Sequence, residues 1–321
     1  MLSQISGLHH VTSLASDAQE NNTFFTQILG LRRIKKTVNF DVPEVYHLYY
    51  GDELGTPGSV MTYFPFPGKK RGRPGTGEVG RTDFSIPTGS LKFWHKRFAD
   101  LGVTGLAEKE VFGEKCLQFS GPDGDEFSLV ENKEDDRRPW TSTIADDVAI
   151  RGFHGASIRL EDDGATAELL QFMGYQPVDK TEDMKRFAIP DGNGAHNIDL
   201  IPMPGGDGAA QGAGSVHHIA FAVKDRQHQL DVRRALLDTG YQVTPVIDRN
   251  YFWAIYFRTP GGVLFEIATN EPGFDHDEDT ANLGEALKLP IQHEHLRNNL
   301  QLSLPKIADQ VPKYVNREDV R

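Results

Sequence analysis

Residues 216–240 read VHHIAFAVKDRQHQLDVRRALLDTG, and the fold follows from this stretch. Its first eight residues form a short apolar run behind a histidine doublet, which predicts a strand. Leu230, Val232, Leu236 and Leu237 then mark an amphipathic helix. Gly240 follows as a left-handed C-terminal cap, and an apolar residue opens the next strand. The same order occurs three times upstream. Strands are expected around His9 to Ala15, Thr82 to Pro87 and His154 to Leu160. The helical stripes that follow them are Phe24, Phe25, Ile28 and Leu29, then Leu91, Trp94, Phe98 and Leu101, then Leu169, Leu170, Phe172 and Met173. Asp17 followed by Glu20 has the form of a capping box at the first of these helices. The cap glycines Gly30, Gly102, Gly174 and Gly240 are 72, 72 and 66 residues apart. That regularity predicts an internally repeated architecture.

Three more strand-like runs follow each helix, so each unit is βαβββ. One helix over one small sheet cannot enclose a core, and units must pair, turning two curved sheets into a partial barrel with a cavity. The expected class is therefore α+β, with four βαβββ modules pairing into two incomplete barrels. An acidic, Pro-containing stretch from Glu131 to Asp147 splits the chain near its middle. The boundaries expected are 1–145 for an N-terminal pair, 146–272 for a C-terminal pair and 273–321 for a tail. In the tail, Leu283 and Leu287 at helical spacing predict a short helix, and the polar end from Lys306 onward is expected to be loosely ordered.

Composition narrows the function. The 321 residues carry a net charge of -12, which argues against a nucleic-acid partner. No apolar run is long enough to cross a membrane, and the first residues lack the basic start and apolar core of a secretory signal. A soluble cytoplasmic protein is expected, and a homo-oligomer is compatible with the sequence. The single cysteine, Cys116, lies in a strand-like stretch and reads as a packing residue. Lys69, Lys70, Arg71 and Arg73, set among glycines and prolines, read as a solvated connection, with a lid near the site as the alternative.

Two histidine doublets stand out. His9-His10 opens the first strand of module one and His217-His218 that of module four. Neighbouring strand residues face opposite ways, so one histidine of each pair can enter a cavity. The last strand of module four, TPGGVLFEI at 259–267, places Glu266 inside an apolar run. An unpaired buried carboxylate costs on the order of several kcal/mol, so a metal is the economical partner. The repeat provides a control: the residue 26 after Gly240 is Glu266, whereas 26 after Gly102 is Ser128. The fold itself therefore does not require a carboxylate there. Two imidazoles and one carboxylate form a facial triad suited to Fe(II) and oxygen chemistry.

LHHVT at 8–12, YHLYYGDELGTPGSVMTYFP at 46–65, RGFH at 151–154, HHIAFAV at 217–223, TPGGVLFE at 259–266 and GFDHDED at 273–279 occur together in this chain. With these motifs it resembles the vicinal oxygen chelate superfamily, and within it the ring-cleaving dioxygenases of hydroquinones and chlorohydroquinones. The resemblance implies His10, His218 and Glu266 as metal ligands, with Fe(II) ahead of Mn(II) or another divalent metal. It further implies His9 and His217 as acid-base groups, Arg249 and Tyr256 on the substrate oxygens, and Thr12 nearby. His154 is a second candidate ligand, because related catechol-cleaving enzymes pair modules three and four. The RGFH motif also occurs in hydroquinone enzymes, where it is not a ligand, which favours His10.

The implied activity uses O2 and a small aromatic diol, of hydroquinone or catechol type. Two other readings share the fold. A glyoxalase-like isomerase or thiol transferase needs a second carboxylate on the metal, where module one offers Met61, Thr62 and Tyr63. A non-catalytic aromatic-binding protein needs no triad. Phe252 and Trp253 are candidates to line the pocket.

Overall fold

The repeat expected from the cap glycines is present in the computed structural model, which describes residues 1–308. Module one comprises β1 (Ile5–Ala15), α1 (Ala18–Thr23), β2 (Arg32–Val38), β3 (Tyr46–Gly51) and β4 (Val60–Pro65). Module two comprises β5 (Glu78–Ile86), α2 (Leu91–Asp100), β6 (Ala107–Val111), β7 (Glu114–Ser120) and β8 (Glu126–Glu131). Module three comprises β9 (Gly152–Leu160), α3 (Gly164–Phe172), β10 (Gln176–Lys180), β11 (Lys185–Ala188) and β12 (Asn197–Pro202). Module four comprises β13 (Val216–Val223), α4 (Arg226–Asp238), β14 (Ile247–Asp248), β15 (Phe252–Arg258) and β16 (Leu264–Pro272).

The local signals act as their chemistry dictates. Asp17 accepts from the Glu20 backbone N–H at 2.7 Å and starts α1, which then runs into one π-helical turn, Phe24–Ile28. The four cap glycines all have positive φ, from 72° to 101°. The stripe of α4 needs correction: Leu230 and Leu237 are exposed, while Gln229, Val232 and Leu236 are buried. Gln229 turns inward because its amide donates to the carbonyls of Trp253 and Ile267, at 2.7 and 2.8 Å. A polar side chain thereby pins the helix across two strands.

Eight strands form each of two sheets, in the orders β14-β15-β16-β13-β1-β4-β3-β2 and β10-β11-β12-β9-β5-β8-β7-β6. These are the two incomplete barrels. One holds modules one and four and the other modules two and three, so the boundary near residue 145 does not separate two barrels. The reason is edge pairing: β1 pairs antiparallel with β13, and β5 with β9. The acidic connector therefore joins two modules inside one barrel. Pairing of β1 with β13 also brings both histidine doublets to the middle of one sheet.

The tail is folded differently from its leucine spacing. The turns of its backbone are Thr280–Asn282 and Ile291–Leu296, and the helix is α5 (Arg297–Ser303). Leu283 is instead a buried core residue, and Leu287 bridges to Lys36 on the edge strand β2. The segment expected to be loosely ordered lies largely beyond the described residues. No helix among the described residues is long and apolar enough to cross a membrane.

Candidate metal centre

Strand alternation puts His10 and Thr12 on one face of β1, and the β1–β13 register sets Thr12 against His218. β13 and β16 run parallel, with Ala220 opposite Glu266. His10, His218 and Glu266 converge as a result, each buried, with one ligand atom apiece within 4.8 Å of the others. The Nε2 atoms of His10 and His218 are 3.3 Å apart. Glu266 Oε2 lies 2.9 Å from His218 Nε2 and 3.4 Å from His10 Nε2. Glu266 is 0% exposed, and neither oxygen meets a well-oriented hydrogen-bond donor.

Burial alone would raise the Glu266 pKa, but the two flanking imidazoles outweigh it and hold the carboxyl ionised, well below its ordinary range. Burial lowers the pKa of His218, against the pull of Glu266. Two ring nitrogens and one carboxylate oxygen converging on one buried spot fit a cation between them. The donor set, two nitrogens and one oxygen, fits a divalent metal and leaves coordination positions open.

The tautomers follow from the surrounding bonds. His9 Nε2 lies 3.1 Å from the Thr269 carbonyl and must donate to it. His9 Nδ1 is therefore unprotonated and accepts from His10 Nδ1–H at 3.0 Å, so His10 Nε2 keeps its lone pair for the metal. The second doublet repeats this contact, with His218 Nδ1 2.8 Å from His217 Nδ1. With His218 Nε2 as ligand, His217 accepts at Nδ1 and offers Nε2–H. Burial, then His218, lowers the His217 pKa to about 4. Burial, then His10, lowers that of His9 to about 3.

The triad opens into a cavity of about 410 Å³ lined by Phe40, Phe64, Phe66, Phe252, Leu14 and Leu264 on its apolar walls, and by His47, Tyr49, His217, Arg249 and Tyr256 among its polar groups. Arg249 Nε donates to the Tyr256 hydroxyl at 3.1 Å. Burial, with Glu266 behind it, raises the Tyr256 pKa well above the ordinary phenol value, so the hydroxyl stays protonated and can itself donate. Lys69 from the basic stretch lines the cavity too. Arg71 and Arg73 instead pair, as isolated β-bridges, with Ala213 and Ala210.

Several expected residues sit elsewhere. His9 is 2% exposed, does not line the cavity and is tied to the Thr269 carbonyl, so its position is that of a prop for His10. Thr12 hydrogen-bonds Thr62 at 2.8 Å rather than facing the cavity. Phe252 lines it, but Trp253 lies under the Arg226 guanidinium instead. His154 belongs to the other barrel, 3.1 Å from Glu114 and beside Asn197. That barrel carries ion pairs instead: Arg81 with Asp83 at 2.6 Å and Arg186 with Asp199 at 2.7 Å. Arg186 also pairs with Glu114. Among the described residues the His10, His218, Glu266 cluster is the one grouping of three such ligands.

Comparison with known proteins identifies the family. The sequence model of the Glyoxalase/Bleomycin resistance protein/Dioxygenase superfamily matches residues 152–267. A Bacillus subtilis protein named as a candidate ring-cleaving dioxygenase, MhqO, is 44% identical over 306 residues, covering 95% of this chain and 97% of that one. The chlorohydroquinone/hydroquinone 1,2-dioxygenase of Sphingobium indicum is 36% identical over 313 residues, covering 92% of this chain and 95% of that one. A crystal structure of a candidate dioxygenase from Bacillus subtilis superposes with a TM-score of 0.93 at 42% identity, over 97% of this chain and 100% of that one. The chain belongs to this superfamily of vicinal oxygen chelate proteins. Within it the chain is an oxidoreductase of the dioxygenase branch.

Proposed function

We propose that the protein is an Fe(II)-dependent ring-cleaving dioxygenase acting on a hydroquinone- or catechol-type diol. The observation that carries this reading is the triad itself: three converging ligand atoms facing a cavity with aromatic walls. The names of the relatives support it. Held by these three residues, the metal would supply Lewis-acid and one-electron redox chemistry toward a phenolic oxygen and O2.

The side chains have distinct tasks. His10, His218 and Glu266 would hold the iron. Tyr256 and Arg249 stabilise negative charge on a ring oxygen: the arginine occupies the tyrosine's lone pair and leaves its O–H to donate. His217 presents Nε2–H as a further donor, and His9 fixes the tautomer of His10. Phe40, Phe64 and Phe252 keep water from the ring. An isomerase of glyoxalase type would need a second carboxylate. The position in module one corresponding to Glu266 is Thr62, paired with Thr12 as Glu266 is with Ala220.

The test is anaerobic loading with Fe(II), then oxygen uptake on hydroquinones, chlorohydroquinones and catechols, with the product weighed after reaction under 18O2. A ring-opened product carrying both labelled atoms is expected, and Glu266→Ala should lose both iron and uptake. Iron bound in full with no diol consumed would overturn the reading.

A further inference from the structure

We propose that Tyr49, held in place by His47, is the binding group for the substrate ring oxygen that does not sit on the metal. This deepens the proposed diol reading and rests on it. The ligands lie on β1, β13 and β16, at the middle of their sheet. Arg249 precedes β15 and Tyr256 lies on it, next to β16. His47 and Tyr49 lie on β3, which β4 separates from β1 on the opposite side. Two strand spacings are about 10 Å along the sheet, and the curl of the sheet shortens that path across the cavity. Both side chains line the cavity. Polar groups thus stand on two sides of the metal, with aromatic walls between.

A chain of hydrogen bonds supports the pair from behind. The Tyr49 hydroxyl is 2.8 Å from His47 Nδ1, His47 Nε2 is 2.9 Å from Thr62 Oγ1, and Thr62 Oγ1 is 2.8 Å from Thr12 Oγ1. All four residues are buried. Every member can donate or accept, so the chain has two directions. In one, Tyr49 donates to His47 and turns a lone pair to the cavity. In the other, His47 Nδ1–H donates to Tyr49 and the tyrosine O–H points into the cavity. Reversal changes no charge, and it lets one hydroxyl receive a ring oxygen with or without its proton. The rings are fixed: His47 and Tyr49 centroids are 4.1 Å apart, with Phe64 4.3 Å from His47 and Phe274 5.2 Å from Tyr49.

An ortho-diol places both oxygens at the metal and has none left for Tyr49. A para-diol has one oxygen for each end. The experiment is anaerobic calorimetric titration of the Fe(II)-loaded enzyme with hydroquinone, phenol and catechol, in wild type and Tyr49→Phe. Wild type is expected to bind hydroquinone about tenfold tighter than phenol, the value of one good hydrogen bond. Tyr49→Phe should bring hydroquinone to the level of phenol while leaving phenol and catechol within about twofold. A hydroquinone preference that survives in Tyr49→Phe overturns the proposal, as does an equal loss for all three ligands, which would mark a purely structural role. The two readings fail separately. Tyr49-dependent binding without oxygen uptake sustains this site and sinks ring cleavage, whereas diol cleavage with unchanged hydroquinone affinity in Tyr49→Phe does the reverse.

Discussion

Glu266 is an anion without solvent, and its neighbours decide what it can be. Removing one imidazole leaves too few donors, so His10→Ala should bind no iron after reconstitution and dialysis, while His154→Ala should bind as wild type does. Iron kept in His10→Ala but lost in His154→Ala would move the ligand from module one to module three. His9→Phe is a subtler case. It removes the acceptor that fixes the His10 tautomer, and losses of this kind cost about 10–100-fold in metal affinity, measurable by competition with a chelator. Unchanged affinity would mean that His10 holds its tautomer without help. The triad was legible in the sequence because a carboxylate in an apolar strand and two doublets at strand starts are anomalies that need a cause. His47 and Tyr49 were not, since YHLYYG reads as an ordinary strand. Only the pairing of β3 with β4, and of β4 with β1, carries them to the cavity wall.

At the scale of elements, module count and type followed from the glycine spacing, but the pairing of modules one and four around one site was implied only by the family resemblance. Nothing in one module's sequence states which β1-type edge it will meet, since each first strand offers the same apolar run. The tail was equally opaque, because its work is done by irregular backbone. Asp277 and Glu278 reach back to Lys35 on β2, at 2.9 and 2.8 Å, and this lysine is 0% exposed. Its ammonium also lies 4.9 Å from the Tyr251 ring centroid. Phe274 packs on Tyr49, Tyr251 and Phe252, so the tail closes the metal barrel beneath its cavity. Glu278→Gln weakens one of the two charged hydrogen bonds to the buried ammonium, leaving Asp277 as its carboxylate partner, and should cost about 2 kcal/mol of unfolding free energy. Adding Lys35→Met to that variant should recover much of the loss, because an apolar side chain needs no partner there. Simple additivity of the two losses in urea denaturation would show that the tail docks without this pair.

At the scale of the molecule the two barrels share one core. Phe24 and Phe25 of module one reach Phe127 of module two at 6.1 and 6.0 Å, and Tyr175 of module three reaches Phe221 of module four at 5.9 Å. Residues 1–145 and 146–321 expressed apart would each own half of both barrels, with the central edges of β1 and β5, or β9 and β13, left open. Neither piece alone should give a cooperative urea transition, and a cooperative transition in either would show that two modules in sequence suffice. The barrels also meet through a charge. The loop before β8 places Asp125 under module one, where it accepts from the Tyr63 hydroxyl at 2.6 Å. Burial raises its pKa to about 6, against the lowering effect of Tyr63, while an unfolded aspartate titrates near 3.9. The folded state therefore holds the proton more tightly. This group's contribution to stability is fully present below the unfolded value and is lost as pH rises through the folded one. Between pH 5 and pH 8 the loss amounts to roughly 1.4 kcal/mol, one pH unit of the shift. Asp125→Asn carries no charge at either pH, so its stability relative to wild type should improve by about that amount on going from pH 5 to pH 8. If the difference between the two proteins is the same at both, Asp125 is already ionised in the folded state at pH 5, and the contact between barrels tolerates the charge.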